Sequence, residues 1–408
     1  MFDDNPPPND MMTAAAISQF YTVQVNANCS FVLRGNYFPK YYDHPHSDKI
    51  MNLGEGIGGI VIACVDLTNN QNVAIKKISN IFDGDIHIMK RISRELTLLR
   101  LLSGHPNVVS FLDVYCTEDT FDLYLVMELL NTDLRKDMFF AMKKNNPFHP
   151  MKTKYILYGI LKGLQYVHQR GVLHRDMKPS NILLSTSKVS LCDFGHANTI
   201  RSVEERTPND SKYVITRMYR PPEIILDSET QTPAVDIFSV GCIFAEMLFC
   251  EQNPPIYRHL FPADDSCSLR HEGGGLKHLQ CMISVLGTPD ISDVIGSKDA
   301  IYIFSNQQWF REKVNGPNLH SEFFPASSKE AVDLLNRMLP FNPHKRCTVE
   351  EALHSDYFKD ISTDPFQSHL FNLDYSVVNL PQEILDFPEF KDWIDNEIQL
   401  FHYTKSLA

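Results

Sequence analysis

His174-Arg175-Asp176-Met177-Lys178-Pro179-Ser180-Asn181, followed a short way on by Asp193-Phe194-Gly195, gathers a carboxylate base, an ammonium group and two oxygen ligands in one segment. Asp193 and the amide oxygen of Asn181 suit a hard divalent cation such as Mg²⁺, which takes oxygen donors and needs few from the protein when a phosphate supplies others. Asp176 can accept a proton from a hydroxyl, and Lys178 can reach a phosphoryl group joined to it. Upstream stand Gly54-Glu55-Gly56-Ile57-Gly58-Gly59-Ile60-Val61 and Val73-Ala74-Ile75-Lys76. Glycines turn tightly and let backbone N–H groups approach phosphate oxygens with no Cβ in the way. Phosphoryl transfer asks for positioning and charge neutralisation more than for covalent chemistry, and these groups can supply both.

Those side chains must be carried by definite elements. β-branched Ile60, Val61 and Ile62 follow the glycines, then come a turn at Asn69-Asn70 and Val73 to Lys76. This order predicts strand, hairpin, strand; a dinucleotide-binding fold would open a helix instead. Apolar residues at helical spacing from Ile88 to Leu102 predict a helix that carries Glu95, and Leu123 to Leu130 reads as a buried strand. From Asp133 the helical period dominates, as in Tyr155 to Gln169. The apolar run from Ile237 to Cys250 is interrupted by Ser239 and Glu246 and is too short to span a bilayer, so a buried helix is expected.

Outside this frame lie three further segments. Residues 1–45 form an N-terminal extension, disordered in part, with a strand expected from Phe20 to Val25. The polar stretch 257–275, with Gly273-Gly274-Gly275, reads as a flexible surface insert. Leu380 to Leu407 is amphipathic through Ile384, Leu385, Phe387, Phe390, Trp393, Ile394, Ile398 and Phe401. With 408 residues, 43% of them hydrophobic, the chain can bury a large core in more than one lobe. A net charge of −12 argues against a nucleic-acid partner held by a basic surface, and no membrane partner is expected. Nine cysteines without a C-x-x-C pair fit reduced, intracellular thiols.

Taken together the motifs resemble those of eukaryotic protein kinases, over roughly residues 48 to 360. Ser211-Lys212-Tyr213-Val214-Ile215-Thr216-Arg217-Met218-Tyr219-Arg220-Pro221-Pro222-Glu223 is similar to the mitogen-activated T-x-Y-V-x-T-R-x-Y-R-A-P-E, and the length from Asp193 to Glu223 is that of the extracellular-signal-regulated branch, within the CMGC group. The resemblance implies an α+β bilobal fold, a strand-rich N-lobe over 46–130, a helical C-lobe over 131–360, and residues 361–408 packed back on the core. It implies ATP and Mg²⁺, with Asp176 as base, Lys178 on the γ-phosphate, and Asn181 and Asp193 on the metal. ATP would lie against Leu53, Gly54, Glu55, Gly56, Ile57, Gly58, Gly59, Ile60, Val61, Ala74, Met127, Asp133 and Leu183, its adenine on backbone groups of Glu128 and Leu130. Lys76 would meet the α- and β-phosphates, oriented by Glu95. His174 and Phe194 would pack the loop, and Arg346 would pair with Glu223.

The same resemblance implies activation by phosphate on Ser211 and Tyr213, bound by Arg94, Arg175, Arg217 and Arg220. Implied partners are proteins with Ser/Thr-Pro sites, an upstream dual-specificity kinase and phosphatases; the implied state is a monomer in cytoplasm and nucleus. Departures bear on the loop: Ser211 replaces threonine, Asn198 stands where an arginine is usual, Pro221 replaces alanine and Phe238 replaces tryptophan. Docking of basic peptides has only Asp360 and Asp364 to rest on. An active serine/threonine kinase, a scaffold that keeps the fold, and a cyclin-dependent relative therefore stay open, although the helix around Glu95 lacks the P-S-T-A-I-R-E type of cyclin-binding sequence.

Overall fold

A computed structural model describes residues 20–26, 29–39, 52–56, 59–82, 86–199, 215–228, 231–263, 274–316, 319–361 and 387–407. The chain divides into two compact units. One takes the described residues of Met1–Ser93, Ser110–Leu129 and Glu383–Ala408, and the other those of Arg94–Val109 and Leu130–Gln382.

The first unit is built on strands β1 (Phe20–Asn26), β2 (Cys29–Arg34), β3 (Tyr37–Pro39), β4 (Asn52–Gly56), β5 (Gly59–Asp66), β6 (Gln71–Ile78), β7 (Phe111–Cys116) and β8 (Leu123–Glu128). Six form one antiparallel sheet in the order β3-β5-β6-β8-β7, with β4 also on β5. Its core residues recur with the strand period of two: Ile62 and Cys64, Val73 and Ile75, Tyr124 and Val126. The β1–β2 hairpin adds Phe31 and Leu33 to that face, and the Val32 N–H donates to Tyr124 Oη at 3.0 Å. Lys77 shares this face, where its ammonium meets Asp122 at 2.7 Å and the Ser30 carbonyl at 2.6 Å. The alternation turns Ala74 and Lys76 to the opposite face. The strand expected at Phe20 to Val25 is present, and β1 to β3 all lie inside the stretch read from sequence as an extension. Residues 1–19 of that stretch lie outside the described residues.

Helix α1 (Ile86–Leu102) covers the segment expected to be helical, and the boundary of the two units falls within it. The C-terminal helix, Phe387–Leu407, belongs to the first unit. Its buried stripe is Phe390, Ile394, Glu397 and Phe401. Phe401 meets Phe111 with ring centroids 4.8 Å apart, Phe390 meets Phe82 at 5.5 Å, and Lys405 Nζ donates to the Leu112 carbonyl at 2.7 Å. Ile384 and Leu385, also expected in this helix, lie outside the described residues.

The second unit has short strands β9 (Thr132–Asp133), β10 (Val172–Leu173), β11 (Ile182–Leu184), β12 (Val189–Leu191) and β13 (Asn198–Thr199). Its helices include α2 (Leu134–Lys143), α3 (Pro150–Gln169), α4 (Pro222–Ile225), α5 (Ala234–Cys250) and α6 (Gly274–Leu286). Every residue of α5 from Val235 to Cys250 is buried, Ser239 and Glu246 included, so the helix is buried as expected, and α3 packs beside it. Among the described residues no helix is long and apolar enough to cross a membrane. The insert expected at 257–275 is narrower than its polarity suggested. Leu260 and Phe261 are buried, Phe261 stacks on Phe238 at 5.7 Å, and α6 already begins at Gly274; residues 264–273 lie outside the described residues.

Candidate active site

In the second unit the segment between β10 and β11 holds its polar groups by contacts that the chain makes at long range. Asp236, on α5 and fully buried, accepts the backbone N–H of His174 at 2.9 Å and of Arg175 at 2.8 Å, and bonds His168 Nε2 at 2.9 Å. Burial alone would push the Asp236 carboxyl up; the His168 hydrogen bond and charge, with the Arg175 N–H, hold it below the ordinary value. Arg175 stands at φ 65° and Asp193 at φ 64°. A non-glycine residue there costs on the order of 1–3 kcal/mol, and Asp236 secures the first of the two turns.

His174 accepts the Asp176 N–H on Nδ1 at 3.3 Å, so Nε2 carries the proton that it shares with the Cys192 carbonyl at 3.1 Å. Its ring meets Phe194 at 5.0 Å, so both residues pack the loop as expected. The Cys192 N–H in turn donates to the Asn181 carbonyl at 3.0 Å, which ties the turn around Asp193 to the turn around Asn181.

Asp176 is 2% exposed, and three donors fix its carboxylate. Oδ2 accepts Lys178 Nζ at 2.5 Å and Asn181 Nδ2 at 3.2 Å, while Oδ1 accepts Thr216 Oγ1 at 2.7 Å. Asn181 Nδ2 also donates to the Asp176 carbonyl at 2.8 Å. With the nitrogen committed to Asp176, the amide oxygen of Asn181 faces the other way. The structure therefore brings Asp176, Lys178 and Asn181 together.

Leu183 and Asp133 also come together, as register partners in the sheet β12-β11-β9. The Asp133 side chain is engaged as the N-cap of α2, accepting the Lys136 N–H at 2.9 Å. Leu130 is half-buried just before β9. Arg346 grips Glu223 through two 2.7 Å bonds, as the sequence implied, and its guanidinium lies 4.8 Å from the centre of the Phe238 ring. Phenylalanine in place of tryptophan thus still packs against that buried ion pair.

Of the arginines expected to bind phosphate, Arg220 is buried and donates from Nε and Nη2 to the Ile215 carbonyl at 3.0 and 2.6 Å. Arg217 opens the short turn before it, Arg175 is buried, and Arg94 is half-buried in α1. Ser211 and Tyr213 lie outside the described residues.

In the first unit β4 and β5 form the expected hairpin, with Asn52 opposite Ile62, Gly54 opposite Val61, Glu55 opposite Ile60 and Gly56 opposite Gly59. Leu53 is half-buried on β4; Ile57 and Gly58 lie outside the described residues. Gly59 has φ 115°, and a Cβ there would stand 2.0 Å from the Lys77 carbonyl oxygen, so no other residue fits. Lys76, opposite Val61 and Leu125, is 7% exposed, and Ala74 lies opposite Ala63 and Met127. The Glu128 N–H donates to the Ser110 carbonyl at 3.0 Å, which narrows the adenine contact expected of that residue to its carbonyl. Glu95 of α1 is 3% exposed and is no solvated face.

Thr216, Asp236 and His168 were not singled out from the sequence as parts of the site. Thr216 lay in plain sight within the loop motif, but Asp236 and His168 sit in apolar helices where nothing local marks them.

The protein kinase domain family matches residues 47–358. The chain is 35% identical over 395 residues to extracellular signal-regulated kinase 1 of Dictyostelium discoideum, covering 93% of this chain and 67% of that one. It is 37% identical over 334 residues to mitogen-activated protein kinase 5 of Arabidopsis thaliana, covering 80% and 81%. Motifs, fold and relatives agree, and the chain belongs to the protein serine/threonine kinases, in the mitogen-activated family of the CMGC group.

Proposed function

We propose that this kinase transfers the γ-phosphate of ATP, with Mg²⁺, to serine or threonine hydroxyls that precede proline in protein substrates, and that phosphate on Tyr213, with or without Ser211, raises its activity. The observation that carries the reading is the carboxylate of Asp176, held on one oxygen by Thr216 and on the other by Lys178 and Asn181. Asp176 accepts the proton of the substrate hydroxyl, and Thr216 fixes the oxygen that does so. Lys178, anchored beside the base, offers its ammonium to the phosphoryl group in flight.

Asn181, through its outward amide oxygen, and Asp193, through its carboxylate, would hold Mg²⁺. The donors are all oxygen, and among the described residues no group of three or more His, Cys, Asp or Glu could hold a metal. That suits a nucleotide-borne Mg²⁺, which needs one or two protein oxygens and takes others from phosphate and water. When bound, ATP and Mg²⁺ supply the phosphoryl group and neutralise its charge. The family motif assigns Lys76 and the glycine hairpin to the phosphates, and Glu95 to the orientation of that lysine.

Support for the proline preference and for loop phosphorylation comes from the match of Tyr213 to Glu223 with the family motif, and the working places proposed with them are cytoplasm and nucleus. The test is transfer to three peptides that differ at the acceptor site, Ser-Pro, Ser-Ala and Tyr-Pro, with chain that is or is not phosphorylated at Tyr213. Preference for Ser-Pro, increased by Tyr213 phosphate, is expected. Equal use of Ser-Pro and Ser-Ala would remove the proline preference, and equal rates from both forms of the chain would remove the loop switch.

A further inference from the structure

Helix α2 turns Leu134, Met138 and Ala141 inward, and this side packs on the turn at Pro179–Asn181 and on α5. At about 100° per residue the opposite side carries Arg135, Phe139 and Lys143, and beside them Lys136 and Phe140, with Lys144 at the C-cap. Each phenylalanine thus has a cation four residues before it and another four residues after it. Phe139 is 43% exposed and Phe140 50%, and their rings meet edge to face at 6.1 Å. Single apolar residues on a surface need no reason, whereas neighbouring aromatics kept in water between charged residues mark a place of interaction. The charge there is as uneven. Residues 134–154 hold six lysines and arginines against one carboxylate, Asp137, a net of +5 in a chain of −12, which leaves −17 for the rest. Lys136 pairs with Asp133 at 3.0 Å and Lys152 with Asp137 at 2.7 Å, but among the described residues Lys143 and Lys144 meet no carboxylate.

We propose that this face of α2 is a docking surface for an acidic segment of a partner protein, in which apolar residues stand between aspartates or glutamates. The apolar residues cover Phe139 and Phe140, and the carboxylates meet Lys143 and Lys144 at one end of the helix and Arg135 and Lys136 at the other. Charge selects this occupant. With −17 on the rest of the chain, a long polyanion or an anionic membrane is repelled beyond the length of one helix, whereas a short acidic segment is attracted and ends where the field reverses. Such a partner is opposite in charge to the basic peptides that the family resemblance would bring to Asp360 and Asp364, and Asp360 is itself bound by Lys154 at 3.3 Å. The surface goes beyond the proposed transfer reaction: it lies on the side of α2 opposite the turn that holds Asn181, so it recruits without touching the transfer site.

The test selects peptides from a random display library on the full chain and on two variants of exposed residues, Phe139→Ser with Phe140→Ser and Lys143→Glu with Lys144→Glu, each checked for its fold by circular dichroism. The unchanged chain should enrich sequences with Asp or Glu on both sides of an apolar pair, and both variants should lose them. Binding of the most enriched peptide, labelled and followed by fluorescence anisotropy without ATP, should weaken about tenfold or more in the serine variant, as for the aromatic anchors of an interface. The glutamate variant should weaken it by a similar factor at low salt and by less in about 1 M salt, where the screening length is about 3 Å. No enrichment, enrichment of basic peptides, or acidic peptides that bind both variants as well as the unchanged chain would overturn the proposal. So would flotation with phosphatidylserine vesicles that both variants lose, or a dimer in sedimentation that the serine variant abolishes, because each gives the face another occupant. Phosphate transfer is a separate readout: a chain that binds its acidic peptide and transfers nothing keeps this surface and loses the proposed activity, and a chain that transfers phosphate with no such binding does the reverse.

Discussion

Asp176 shows how single residues are held for the proposed chemistry, because each of its oxygens is engaged by a different part of the chain. Asp193→Ala removes a proposed metal oxygen, and peptide phosphorylation should fall to background while the fold, read by circular dichroism, is kept. Thr216→Val deletes one hydrogen bond to a charged group, of about 1.5–3 kcal/mol. The turnover number should drop about tenfold or more with the Michaelis constant for ATP little changed; a rise in that constant alone would show that Thr216 serves nucleotide binding instead. His278, buried on α6, gives a pH signature. The folded chain leaves the ring neutral down to about pH 4, whereas the unfolded chain binds a proton near 6.5. Between those values the unfolded state holds more protons, so stability falls as pH falls, by about 1.4 kcal/mol per pH unit. The urea midpoint should therefore decline more steeply from pH 6.5 to 4.5 in wild type than in His278→Gln. Equal slopes would contradict the buried, neutral ring. Asp176, Lys178, Asn181 and Asp193 were legible in the sequence because their order and spacing are local. Thr216 and Asp236 act across the fold, and no spacing along the chain announces such contacts.

Elements position those residues by burying one face and leaving the other for work. Period-two burial in β5, β6 and β8 builds the core under the β1–β2 hairpin, and the same alternation puts Ala74 and Lys76 on the other side of the sheet. Asp113 on β7 joins three elements: it accepts the Tyr37 hydroxyl at 2.8 Å and Arg34 at 3.0 Å, and His402 of the C-terminal helix lies 3.7 Å away. Phe401→Ala should cost about 3–5 kcal/mol if the helix is integral to this unit, since the ring fills the space over Phe111. Hydrogen exchange should then speed up in β7 and in residues 387–407 together, and unchanged exchange in β7 would show that the helix is dispensable to the sheet. The helix itself was legible from its apolar stripe, as were α1 and α5. Its seat on β7 was not, because periodicity marks a face and leaves its partner unnamed. The insert was overestimated for a related reason: polarity around Arg258 and His259 hides Leu260 and Phe261, which are buried.

At the scale of the whole molecule, the small strand-rich and larger helical parts, the order of the motifs and the identity to two mitogen-activated kinases describe a phosphotransferase whose catalytic loop is complete among the described residues. The departures noted in the sequence leave that loop intact: Phe238 packs on Arg346, and the Arg346 to Glu223 pair is formed. The central claim is that the groups around Asp176 turn over substrate. Its most direct test is Mg²⁺-ATP-dependent phosphate transfer to a Ser-Pro peptide by the full chain, before and after phosphorylation at Tyr213, with Asp193→Ala as control. Transfer that rises with Tyr213 phosphate and vanishes in Asp193→Ala is the expected result. Nucleotide binding with no transfer by either form of the chain would contradict it and leave a kinase fold that works by binding its partners.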